Sequence, residues 1–128
     1  MDTIEFLELA DVIEIHFDQI ERYGGTKEIR DAGLLESAIE QPRASFGGDF
    51  LHAFPYEMAA AYLFHIVMNH PFVDGNKRTG AVASIVFLDW NGIVIEAARG
   101  KLSDMTLAVA SSQRTKQQVA EFFKTHTK

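Results

Sequence analysis

Two stretches of this chain are apolar on almost every side of a helix: "PYEMAAAYLFHIVMNH" from Pro55 to His70, and "TGAVASIVFLDW" from Thr79 to Trp90. A helix without a polar face must be enclosed, by protein or by lipid. Neither stretch has the roughly 18 or more uninterrupted apolar residues of a membrane span, so both are predicted to be central helices of a bundle. The remaining segments must then supply the cover.

They have the pattern for it. Leu9, Val12, Ile13, Phe17 and Ile20 recur at three-and-four spacing, which predicts an amphipathic helix stopped by Gly24 and Gly25. A shorter helix is expected in "DAGLLESAIEQP", with Asp31 as N-cap and Pro42 ending it. "PRASFGGDFLHAFP" is too irregular for a helix and reads as a loop or short hairpin. Pro55 suits the start of the first central helix, and Asn91 with Gly92 stops the second. "GIVIEA" is a candidate extended piece, followed by two amphipathic helices, the last opened by Thr115 with Gln118 three residues on. The expected fold is all-α, a single domain over residues 1–128 with one irregular excursion.

Composition narrows the setting. The absence of cysteine excludes disulfides and thiolate metal sites, and an N-terminus that mixes acids with apolar residues does not read as a signal peptide; both point to a reducing cytoplasm. Twelve Lys and Arg against 18 Asp and Glu give a formal charge of -6, which argues against direct nucleic-acid binding through a broad phosphate footprint.

Between the central helices lies "HPFVDGNKRTG". Pro71 biases His70 away from helical angles, so the first helix should end near Asn69 with His70 at its exit. Gly75 permits a sharp turn, and the next helix should begin within Asn76 to Thr79. Its unpaired N–H groups and positive dipole end form an anion site, to which Lys77 and Arg78 add full charges. Asp74 beside a polyphosphate implies a bridging Mg²⁺, which binds through carboxylates and phosphates. His70 supplies an imidazole that can take a proton from a hydroxyl. Taken singly, each residue has a structural explanation; their order together describes phosphoryl or nucleotidyl transfer. The ATP-binding P-loop pattern fails, because Ala81 and Val82 follow Gly80, and no zinc-binding HExxH occurs.

His70 to Arg78 resembles the signature of the Fic fold, HPFx[DE]GN[GK]R, and the chain resembles its short branch, the death-on-curing (Doc) toxins. "IERYGG", "GLLESAIEQPRASFGG" and "VFLDWNG" carry the likeness beyond the motif. The resemblance implies a Fic-fold helical bundle with a short flap, for which Arg43 to Phe50 is the candidate. It implies His70 as general base, Asp74 as Mg²⁺ ligand, and Gly75, Asn76 and the following helix start, with Lys77 and Arg78, as the binding site for ATP. AMP-transferring Fic enzymes read GNGRxxR, whereas Lys77 and Ala81 depart from that pattern and "NKRT" resembles Doc. Doc-type enzymes transfer the γ-phosphate to elongation factor Tu and block translation. Pro71 and Gly75 match the AMP-transferring form, which keeps AMP transfer as the alternative.

No Glu here is followed by Gly or Asn, so the inhibitory pattern [ST]xxxE[GN] is absent. Inhibition is therefore expected in trans, and the resemblance to Doc toxins implies a small Phd-like antitoxin of a type II pair, expected in an apolar groove between the first and last helices. A reading of another class is a catalytically silent co-repressor module that binds such an antitoxin.

Overall fold

The computed structural model describes residues 3–128. Among them are six helices: α1 Leu9–Tyr23, α2 Ala32–Glu40, α3 Tyr56–Asn69, α4 Asn76–Trp90, α5 Lys101–Ala110 and α6 Lys116–Thr125. A 3₁₀ turn at Gln41–Arg43 and a two-stranded antiparallel hairpin, β1 Ser45–Phe46 with β2 Asp49–Phe50, separate α2 from α3. The all-α architecture with a short hairpin is the one expected.

Three of the helices, α1, α2 and α6, start at side-chain caps. Asp31 caps α2 by accepting from the Leu34 N–H at 2.9 Å. Thr115 and Gln118 form a reciprocal capping box at α6, at 3.1 and 2.8 Å. Asp11 accepts from the Glu8 N–H at the start of α1. Gly47 and Gly48, both with positive φ, supply the hairpin turn.

The core is built on α3, whose residues Met58 to Leu63, Ile66 and Val67 are all buried. α4 lies against it, and Gly80 sets how closely. A Cβ there would sit 2.9 Å from the Val67 side chain and 3.1 Å from the Leu63 carbonyl. α6 covers α3 from another side, while α1 and α5 flank α4. The extended piece after α4 pairs with the C-terminus: the Glu96 N–H donates to the His126 carbonyl and the Lys128 N–H to that of Val94.

Two expectations need correcting. α1 does not bury the face through Leu9 and Phe17, which remain exposed; it buries Val12, His16, Gln19 and Ile20. The stripe is rotated because His16 stacks flat on Phe72, with ring centroids 3.7 Å apart and planes at 6°. Among the described residues the first and last helices also pack on different partners, α1 on α4 and α6 on α3. A groove runs instead between α1 and α4, floored by Ile15, Val82 and Val86, with Trp90 in its wall.

Candidate active site

α3 ends at Asn69, and His70 takes the left-handed conformation at φ 51°, ψ 53°. That bend turns the chain into Pro71 and Phe72, both buried, leaving His70, Val73 and Asp74 exposed. Gly75 is also left-handed, at φ 81°, and a Cβ there would meet the Ile20 side chain at 3.1 Å. It precedes α4 without any capping side chain, and the first amide to close an α4 turn is that of Thr79, on the Gly75 carbonyl. The N–H groups of Asn76, Lys77 and Arg78 therefore lie at an open helix start, the place where an anion is best received.

Asn76 holds this loop together. Its side chain accepts from the Phe72 N–H at 2.9 Å and donates to the Phe72 carbonyl at 2.8 Å, in a buried setting. Its amide group is thus used internally, and what it offers an anion is its backbone N–H. Asp74 accepts from the Thr26 N–H through Oδ2 at 2.9 Å. Oδ1 has no hydrogen-bond partner among the described residues and remains open as an oxygen ligand.

Three residues outside the motif support the loop, and the sequence reading passed over them in this role. His16 is fully buried and donates from Nε2 to the Asp74 carbonyl at 2.8 Å. A carbonyl only accepts, so Nε2 carries the proton, and the partnerless Nδ1 is left bare. Burial pulls the His16 pKa below its usual value despite that bond, keeping the ring neutral. Arg30 donates to the carbonyls of His70 and Asn69. Tyr23 lies under the Arg78 guanidinium, 4.8 Å from ring centroid to Cζ. One signal for His16 was available: it falls between Val12 and Ile20 at steps of four.

Two hollows meet at the start of α4, sharing Gly75, Asn76 and Lys77. One, about 420 Å³, is walled by His70, Val73 and Asp74. The other, about 510 Å³, is walled by Gln19, Tyr23, Arg78 and by Leu102, Thr106 and Leu107 of α5. All six residues singled out from the sequence, His70, Asp74, Gly75, Asn76, Lys77 and Arg78, thus lie at one helix start. The hairpin lines neither hollow.

Residues 6–88, well over half the chain, match the Fic/DOC family. The chain belongs to the Fic/DOC family. Among Fic/DOC relatives, Toxin Doc of Mycolicibacterium smegmatis is 42% identical over 77 residues, 59% of this chain and 58% of that protein. Protein kinase doc of Escherichia phage P1 is 30% identical over 111 residues, 87% of this chain and 86% of that protein. The first match thus spans less than two thirds of its relative, whereas the second spans nearly the whole of both.

Proposed function

We propose that this chain is a Doc-like toxin that transfers the γ-phosphate of ATP to a hydroxyl of a target protein, elongation factor Tu being the candidate. The observation that carries the reading is the loop itself: a base, an acid with one open oxygen, and an uncapped helix start share one hollow. Similarity to a protein kinase doc over most of both chains supports the same direction.

The residues fit Mg²⁺, a hard cation that takes oxygen ligands, because Asp74 is exposed and its Oδ1 is open. When bound, the ion neutralises charge on the nucleotide's phosphates. The amides at the start of α4, with Lys77 and Arg78, hold those phosphates through hydrogen bonds and charge. His70 Nδ1 or Nε2 takes the proton of the attacking hydroxyl as its oxygen bonds to the γ-phosphorus. The bond from that phosphorus to the β–γ bridging oxygen breaks, and ADP leaves. The hairpin expected as the flap, with Phe46 80% exposed, lies outside both hollows and would have to hold a target segment from there. An antitoxin acting in trans would restrain the activity.

The test is expression of the chain without any partner in a bacterial host, with mass spectrometry of elongation factor Tu and the wider proteome. The expected result is growth arrest with a phosphate on a target hydroxyl, absent with His70→Ala. An AMP adduct would replace the kinase reading by AMP transfer. A chain that binds Mg²⁺–ATP or an antitoxin yet modifies nothing would replace it by the silent binding module.

A further inference from the structure

The backbone of His70 is held in a conformation it would not choose. It is a non-glycine residue at φ 51°, ψ 53°, and it precedes Pro71, whose ring favours extended angles in the residue before it. Such strain persists only where surrounding structure over-determines it. Here that surrounding structure is the segment after the Gly24–Gly25 corner. The Arg30 and Asp31 N–H groups both donate to the Pro71 carbonyl, at 2.7 and 3.0 Å, and the Val73 N–H donates to the Glu28 carbonyl. These bonds fix Pro71 and Val73 but leave His70 itself untouched. The side chain of Arg30 closes that gap: Nε donates to the His70 carbonyl at 2.6 Å and a terminal nitrogen to the Asn69 carbonyl at 2.9 Å.

We infer that Arg30 is a positioning residue for His70, holding the imidazole at the mouth of the hollow that also contains Asp74. The planar guanidinium suits the task, since two donors in a fixed fork can grip two successive carbonyls at a helix end, where cations are also favoured by the helix dipole. Without that grip, His70 is free to relax toward the extended angles that Pro71 prefers, and its ring swings away from the start of α4. The phosphate-binding amides, Asp74 and Lys77 lie beyond Pro71 and keep their own attachments. Arg30 therefore acts on the proton transfer and leaves nucleotide binding alone. Arg30 is exposed, so its truncation removes these bonds without opening a cavity.

This inference rests on the proposed role of His70, and its test separates the two. Arg30→Ala, Arg30→Lys and wild type are compared in phosphoryl transfer to elongation factor Tu, in Mg²⁺–ATP affinity, in melting temperature, and in the ¹³Cα shift of residue 70. The expected result for Arg30→Ala is roughly a tenfold lower kcat, the size of effect backbone strain of this kind commands. ATP affinity and melting temperature stay near wild type, the Cα shift leaves the left-handed range, and Arg30→Lys recovers part of the loss. An unchanged kcat, or a kcat that falls together with ATP affinity, would overturn it. If wild type shows no His70-dependent transfer, the functional reading has failed, and the Cα shift alone decides whether Arg30 positions the residue.

Discussion

Asn76 uses both ends of its side-chain amide on Phe72, so its truncation uncouples the loop from α4. Asn76→Ala leaves a buried N–H and C=O without partners, and a loss of about 1–3 kcal/mol is expected in urea unfolding. ATP affinity should weaken with it, as the amides at the helix start lose their alignment. His16 acts from the other side. His16→Gln retains a donor for the Asp74 carbonyl, whereas His16→Leu does not, so the leucine variant should bind Mn²⁺ more weakly than the glutamine variant by calorimetry. At this scale the motif was legible, because its residues are contiguous and each has a distinct chemical job. Its supports were not, since His16 and Arg30 reach the loop from 58 and 40 residues away. Arg30 looks in sequence like any charged residue before a helix.

Among the elements, the α3–α4 pair is set by Gly80, and Gly80→Val would push a side chain into Val67 and the Leu63 carbonyl. Overpacking of this kind costs about 1–3 kcal/mol and should appear as a lower denaturation midpoint at unchanged m-value. α6 is fastened differently. Lys116 donates to His52 Nε2 at 2.9 Å and to His65 Nε2 at 3.0 Å, joining α6 to α3 and to the segment after the hairpin, with Glu57 nearby. Burial first and the Lys116 charge second pull His65 down to about 4 and His52 in the same direction. Both imidazoles are neutral when folded, and the unfolded chain takes up their protons below its ordinary pKa of 6.5. Stability from this cluster is therefore complete above pH 6.5 and is lost as pH falls toward about 4. The melting temperature should drop across that window, and His65→Gln, which keeps an acceptor without titrating, should flatten the drop. Helix positions were readable from apolar spacing and caps. The facing of α1 was not, because His16 is polar by type and apolar by use once stacked on Phe72.

For the whole molecule, the two apolar stretches become the α3–α4 centre, and the polar loop between them becomes a place where two helix ends, an acid, two cations and a histidine converge. Fold and site thus share a cause: two enclosed helices joined by a short turn bring an α3 C-terminus and an α4 N-terminus to the same surface point. How the peripheral helices dock is set by shape complementarity among distant residues, which no local pattern carries, and the groove accordingly lies between α1 and α4. The central claim is tested most directly by single-turnover transfer from γ-labelled ATP to purified elongation factor Tu with Mg²⁺, wild type beside His70→Ala. Label should appear on the factor with wild type and be absent with His70→Ala; equal labelling by both, or none from wild type, would rule out transfer with His70 as its base.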